Sequence, residues 1–261
     1  MEIPIWQVDA FTRRRFGGNP AAVCLTKEWL PETTMQAIAA ENNLAETAFV
    51  VPGGAGYVIR WFTPTVEVAL CGHATLASAY VLFEYAGHSA AAVEFDCKSG
   101  ALRVTREADG RLCLDFPSIP MPRCQPHERL IDGLGVRPLE VLAAMDYMVV
   151  LESEDDVRSL QPDMAVLARL DRRGVIVTAK GGEADFVSRF FAPAAGIPED
   201  PVTGSAHCAL TPYWSRRLGK RAMRALQVSP RGGELWVEDR GDRVLIAGYA
   251  VPYLKGTITA G

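Results

Sequence analysis

A chain of 261 residues, 49% hydrophobic and 22% charged, is long enough to build two cores of ordinary size and too apolar to stay unfolded. Its net charge of −4, with basic residues scattered apart from Arg13-Arg14-Arg15, argues against a nucleic-acid-binding class. The start Met1-Glu2-Ile3-Pro4 lacks the basic-then-apolar pattern of an export signal and no apolar stretch reaches membrane length, so the cytoplasm is the expected location.

Short strands dominate the predicted elements. The first half gives strands at Ile5–Val8 and Ala21–Leu25, then a helix over Thr33–Asn43 behind Pro31-Glu32. Strands follow at Thr47–Val51 and Tyr57–Phe62, then a helix at Ala74–Tyr85 and strands at Val93–Cys97, Leu102–Thr105 and Leu112–Phe116. Three alternate prolines in Phe116-Pro117-Ser118-Ile119-Pro120-Met121-Pro122 forbid both helix and central strand, which places a domain boundary there. The second half gives a short helix at Leu139–Ala144, a strand at Met148–Leu151, a helix at Asp163–Leu170, and strands at Val175–Thr178 and Phe186–Phe191. A helix at Ser205–Leu218 contains Pro212, which should kink or end it. The last strands are Leu226–Val228, Glu234–Val237, Val244–Ala247 and Tyr253–Ile258. Hairpin chemistry links several neighbours, through Lys98-Ser99-Gly100, Asp109-Gly110, Arg231-Gly232-Gly233 and Arg240-Gly241-Asp242.

One pattern occurs twice, half a chain apart. Arg60-Trp61-Phe62-Thr63-Pro64 precedes Leu70-Cys71-Gly72-His73-Ala74-Thr75, and Arg189-Phe190-Phe191-Ala192-Pro193 precedes Asp200-Pro201-Val202-Thr203-Gly204-Ser205. Each copy is an aromatic strand ending, then a glycine turn that feeds a helix of small residues. The helix after Gly72 has almost no polar face and must be enclosed. A strand-rich half wrapped around one buried helix, made twice, is the expected architecture. Two such helix N-termini suggest one anion-binding site where related domains meet.

Several residues around these turns carry chemistry. His73 sits where a helix dipole favours neutral imidazole, suited to passing a proton or binding a carboxylate; capping or core packing is the alternative. Thr203, Gly204 and Ser205 offer backbone N–H groups as an anion cradle, or simply cap the helix, with no strong basic side chain near in sequence. Glu199 and Asp200 place two acids beside that turn, or form a solvated loop. Glu46 is a lone acid entering an apolar strand, where burial would raise its pKa into the general acid–base range; a strand-edge carboxylate facing solvent is the alternative. Cys71 reads as a thiolate base at a helix start or as inert packing. The six cysteines show no C-x-x-C spacing and no close Cys/His ligand cluster, so they read as reduced thiols, and no metal is expected. No glycine-rich phosphate loop appears, so no cofactor is expected either.

Together these segments resemble the PhzF-like family of phenazine-biosynthesis isomerases, which share the diaminopimelate-epimerase-like fold. The resemblance covers nearly the whole chain. It rests on Val8-Asp9-Ala10-Phe11-Thr12 with Gly17-Gly18-Asn19-Pro20-Ala21-Ala22-Val23, on Asn43-Leu44-Ala45-Glu46-Thr47-Ala48-Phe49, and on the two glycine turns. It implies an α+β protein of two similar domains, each a curved, mostly antiparallel sheet or barrel around a central helix. Residues 1–117 would form the first and 118–249 the second, with a C-terminal strand at about 250–261 returning to the first.

By the resemblance Glu46 is the proton shuttle, His73 and Asp200 are its catalytic partners, and Gly72, Thr203, Gly204 and Ser205 bind the substrate. The epimerases work with two opposed cysteines; Cys71 precedes the first glycine, but no cysteine precedes Gly204, which disfavours a two-thiol racemase. The expected activity is cofactor-independent isomerisation of a small anionic acid, with no nucleic-acid or membrane partner and a homodimer as the assembly. A racemase or epimerase, and a catalytically idle binding protein, are the competing readings.

Overall fold

The computed structural model describes residues 1–54 and 56–260. The chain divides into two compact units, Met1–Phe116 with Ile246–Gly261, and Pro117–Leu245. In chain order the first unit holds β1 (Glu2–Ala10), β2 (Asn19–Leu25), α1 (Glu32–Asn42), β3 (Glu46–Gly53), β4 (Gly56–Phe62), β5 (Glu67–Val68), α2 (Gly72–Tyr85), β6 (Ala92–Cys97), β7 (Gly100–Arg106) and β8 (Leu112–Pro117). The second holds α3 (Glu128–Leu134), β9 (Glu140–Ala143), β10 (Tyr147–Val150), α4 (Glu154–Ser159), α5 (Met164–Leu167), β11 (Val175–Lys180) and β12 (Phe186–Phe191). After a 3-10 turn at Pro193–Ala195 come α6 (Gly204–Leu218), β13 (Ala222–Gln227), β14 (Gly233–Asp239), and β15 (Arg243–Gly248), which carries the second crossing between units. The last strand, β16 (Ala250–Thr259), pairs antiparallel with β1, Glu2 opposite Thr259, with one bulge at Gln7/Val8.

Strand pairing exposes a duplication. The first unit orders its strands β16-β1-β2-β3-β4-β6-β7-β8, and the second β9-β10-β11-β12-β13-β14-β15. In the first, β1/β2 is antiparallel, β2/β3 parallel, β3/β4 antiparallel, β4/β6 parallel and β6/β7 antiparallel. From β9/β10 to β13/β14 the second unit repeats that sequence of senses. In both, the second parallel pair is bridged by the helix that follows the glycine turn. The fold is α+β and mostly antiparallel.

Each sheet is sandwiched between helices. Along α2, ten residues from His73 to Phe83 are buried, and the helix packs on β16, β1, β2, β3 and β7, strands far apart in the sheet order. Only a sheet curled around the helix can touch it with both ends. Thr75 and Ser78 survive in that apolar setting because their hydroxyls donate to the carbonyls of Cys71 and Ala74, at 2.6 and 2.7 Å. The outer face is closed by α1, through Met35 and Ala39 against Ile3, Ile5, Cys24, Phe49 and Phe62. In the second unit α6 is the inner helix: Trp214 stacks on Phe186 of β12 at 5.9 Å, and its indole N–H donates to Thr178 of β11 at 2.9 Å. Leu130, Val157, Leu160 and Leu167 close the outer face. β12 is therefore buried on both sides along its whole length, Ser188 and Arg189 included. Among the described residues no helix is long and apolar enough to cross a membrane.

Several elements differ from expectation, and the helix α3 and the two-residue strand β5 had no expected counterpart. The apolar run at Leu139–Ala144 is a strand, β9, because Tyr147–Val150 offers it a hydrogen-bonding edge, and short apolar runs do not separate helix from strand. The helix α4 went unread although Ser153 and Asp156 form a reciprocal capping box at its start. Pro212 does not end α6, which continues to Leu218. Proline cannot donate to the carbonyl of Cys208, four residues back; the N–H of Ile119, in the proline-rich connector, donates to it at 3.0 Å instead.

His207, fully buried on α6, donates from Nδ1 to the carbonyl of Thr203 at 2.8 Å and packs near Phe186. Burial pushes its pKa down to about 4. A histidine neutral in the fold binds fewer protons than in the unfolded chain, so stability is full above the ordinary imidazole value and falls as acid approaches the lowered one. Between pH 6.5 and about 4 this group alone should cost about 3 kcal/mol. His207→Asn, whose amide can replace the Nδ1–H donor, should flatten the pH dependence of urea unfolding in that window; an unchanged slope would show that another group drives acid loss.

Candidate functional site

The first glycine turn assembles a compact polar cluster in the first unit. Asn43 adopts a left-handed conformation (φ 48°) that ends α1 and turns the chain into β3, whose first residue is Glu46. Glu46 lies opposite Ala21 of the parallel neighbour β2. Two residues earlier on the same side of β2 stands Asn19, fully buried. It is delivered there by Gly18 (φ +60°), where an added Cβ would lie 2.1 Å from the carbonyl oxygen of Ala10. His73 enters from the first turn of α2.

The contacts are short. His73 Nε2 lies 3.1 Å from Glu46 Oε2, with side chains 6% and 12% exposed. On the other side of the ring, Nδ1 is 3.2 Å from Asn19 Nδ2 and 3.5 Å from Cys71 Sγ. The Glu46–His73 approach is off the line of a directed hydrogen bond, so the two buried atoms are held together by charge. Asn19 was not among the expected site residues. Its signal was present in the Gly18-Asn19-Pro20 segment, but nothing local shows that this turn faces His73.

Electrostatics in the cluster reverse two sequence expectations. Burial alone would raise Glu46, yet the His73 imidazole beside it brings the carboxyl below its ordinary value. Burial alone would lower His73, yet the Glu46 carboxylate beside it carries it well above the usual imidazole range. The pair is therefore carboxylate and imidazolium, against both the raised glutamate and the dipole-favoured neutral histidine expected above. A carboxylate at 3.1 Å outweighs the partial charge of a helix end. The reading of Cys71 as a thiolate base also fails: burial, with Glu46 nearby, pushes the thiol up to about 11, so at neutral pH it keeps its proton.

The second glycine turn is organised within the second unit. Thr203 Oγ1 donates to Asp200 Oδ2 at 2.6 Å, and the Thr203 N–H donates to Gln227 Oε1 at 2.8 Å. Gln227 Nε2 in turn donates to the Asp200 carbonyl and to Thr203 Oγ1, at 2.7 and 3.1 Å. Gln227, on β13, is thus a second residue that sequence reasoning missed. Neither Cys71 nor Thr203 closes its side chain back on the helix it precedes by a hydrogen bond, whereas His127, Ser153 and Asp163 do so for α3, α4 and α5. Simple capping therefore does not account for Thr203.

Two further expectations need correction. Glu199 is no partner of Asp200 in an open acidic loop: Arg189 grips its carboxylate with two hydrogen bonds of 2.8 and 2.9 Å. In the first unit Arg60 grips Glu67 in the same way, 2.8 Å twice, which holds that carboxyl down near 2. The arginine of each aromatic strand ending thus ties down the loop leading to its glycine turn. Nor is the second turn without a base. Arg173, held by Asp146 at 2.9 and 2.5 Å, donates to Ser205 Oγ at 3.0 Å.

The profile of the family described as phenazine biosynthesis-like protein matches residues 8–256. An uncharacterized isomerase of Pseudomonas aeruginosa is 56% identical over 259 residues, covering 99% of each chain. The crystal structure of a PhzF-family phenazine biosynthesis protein from Enterococcus faecalis superposes with a TM-score of 0.97 at 47% identity, over the full length of both. A hydroxyproline epimerase from Agrobacterium vitis, 11% identical, covers 98% of this chain and 92% of its own at a TM-score of 0.62, a likeness of fold alone.

If the Glu46 carboxylate sustains the His73 imidazolium, Glu46→Gln should move the His73 titration midpoint sharply downward, because burial is then poorly opposed. Nitrogen-15 NMR of the imidazole reads this directly, and an unmoved midpoint would show that Glu46 is not the partner that charges the ring.

Proposed function

We propose, for a chain that belongs to the phenazine biosynthesis-like (PhzC-PhzF) family, a cofactor-independent isomerisation in which Glu46 moves a proton between two carbons of a small unsaturated acid. The single observation that carries this reading is the buried Glu46 carboxylate set 3.1 Å from His73. Held ionised, Glu46 can accept a proton from a carbon made acidic by conjugation to the substrate's carboxylate. The electron pair left behind delocalises into the conjugated acid. His73, an imidazolium, stabilises that charge, and Glu46 returns its proton to a second carbon on the same face. Base and acid are one group in turn, so no second base is needed.

The relatives named as isomerases support the reaction class. The Cys71 thiol, kept protonated by burial, and the lack of a cysteine before Gly204 speak against a two-thiol racemase. To the second motif the reading assigns substrate binding. The backbone N–H groups of Gly204 and Ser205 hold a carboxylate, Asp200 and Thr203 accept and donate polar contacts, and Gly72 lends the first motif's backbone donor.

The test is deuterium wash-in. Unsaturated and cyclic carboxylic acids incubated with the protein in deuterated water should gain deuterium at carbon, followed by proton NMR. With an acid that exchanges, Glu46→Gln should lose roughly two orders of magnitude or more in rate while binding stays close to wild type. Asp200→Asn and His73→Ala should lower both rate and affinity. Wild-type exchange in Glu46→Gln would remove Glu46 as the shuttle, inversion at a single carbon would select an epimerase, and binding without exchange would leave a ligand-binding protein.

A further inference from the structure

We propose that Glu46, Cys71 and His73 form a binding site for one divalent cation of the zinc type. Each of the three offers one ligand atom, all within 4.8 Å of one another, and all three side chains are nearly enclosed. The set mixes a thiolate precursor, an imidazole and a carboxylate, the three donor types that zinc accepts, and it supplies three protein ligands with a fourth position open.

The spacings suit such an ion. Bonds of about 2.0 Å to nitrogen or oxygen and about 2.3 Å to sulfur put neighbouring tetrahedral ligands roughly 3.3–3.6 Å apart. The structure holds His73 Nε2 and Glu46 Oε2 at 3.1 Å, close to that spacing, while Cys71 Sγ lies 3.5 Å from the other ring nitrogen, Nδ1, with one ligand atom of each of the three residues within 4.8 Å of the others. To complete the set the Cys71 sulfur has to swing from the Nδ1 side of the ring to the side that faces Glu46. Asn19, against Nδ1, supplies the outer partner that metal-bound imidazoles use for orientation, since its amide can present oxygen as well as nitrogen.

On binding, the Cys71 S–H bond breaks, a sulfur–metal bond forms and the proton leaves to water. His73 likewise sheds the proton on its ligating nitrogen, Glu46 coordinates as the carboxylate it already is, and no electrons are transferred. Occupancy also occupies the carboxylate that the proton shuttle needs, so metal loading and isomerisation exclude each other. That consequence rests on the proposed function; the binding site does not.

The experiment is a titration of chelator-treated, reduced protein with cobalt(II). One cobalt per chain, with a sulfur-to-cobalt charge-transfer band and the visible bands of tetrahedral cobalt, is expected, and zinc should bleach both. Cys71→Ser should lose the charge-transfer band, Glu46→Gln should shift the visible bands, and Cys97→Ser should leave them unchanged. No band in the wild type, or a full band in Cys71→Ser, overturns the site. Should Cys71→Ser not fold, zinc must slow alkylation of Cys71 in the wild type by tenfold or more, read by mass spectrometry, and unslowed alkylation overturns the site equally. Full exchange by cobalt-loaded protein, on any acid that exchanges in the assay above, overturns the exclusion while leaving the site. Exchange that appears only with metal overturns the shuttle instead.

Discussion

A helix apolar on nearly every side, as α2 is, has nowhere to rest on a protein surface; the first half of this chain is built around that constraint, and the second encloses most of α6 in the same way. Enclosing α2 needs more than one flat sheet, so the strands curl until distant members of the order touch the same helix. The same holds for α6, which reaches β11 and β12 through Trp214 and β9 through Tyr213, whose hydroxyl donates to Glu140 at 3.0 Å. Once the barrel of the helix is sealed, its polar first turn is the part that cannot be buried among hydrocarbon without partners. Chemistry therefore collects at the glycine turns.

Rigidity of those turns is maintained at a distance. The Arg60–Glu67 and Arg189–Glu199 pairs lie one loop upstream of each turn and are two-point contacts, which define direction as well as proximity. Arg189 also donates to the carbonyls of Leu160 and Val157, tying the second turn to α4. Their surroundings differ, and so does their energetic weight. Arg189 is 9% exposed and Arg60 20%, so solvent screens the first unit's pair more. The aromatic-arginine strand ending recurs because it does the same mechanical task twice.

Within the first unit, the Glu46–His73 pair sets what the cluster can do. Either group alone would be driven toward neutrality by burial; side by side they hold each other charged. The pair is complete between the ordinary glutamate and histidine values. It is lost in acid as Glu46 takes a proton below its lowered pKa, and in base as His73 loses one above its raised pKa. A base of this kind is weak by its pKa and gains its strength from position, as a nearly enclosed carboxylate held beside its partner.

Period, punctuation and repetition made much of this legible in the sequence. The alternation of strands, the hairpin glycines, the apolar helix after Gly72 and the matched glycine turns are local patterns, and local patterns survive in one dimension. The elements misread were those settled by neighbours: β9 takes its form from the edge of β10, and α6 runs through Pro212 because Ile119 covers the carbonyl left open. The same division runs through the site. Glu46, His73 and Asp200 were identifiable as residue types in telling positions. Charge state, by contrast, depends on what lies within a few ångströms, and no spacing in the chain shows that Asn19 and Glu46 meet His73, that Gln227 organises Thr203, or that Arg173 reaches Ser205. Sequence alone determined which groups are available and where the backbone turns. Tertiary structure decided which of them are neighbours, and electrostatic energy, falling with distance and dielectric, responds only to that.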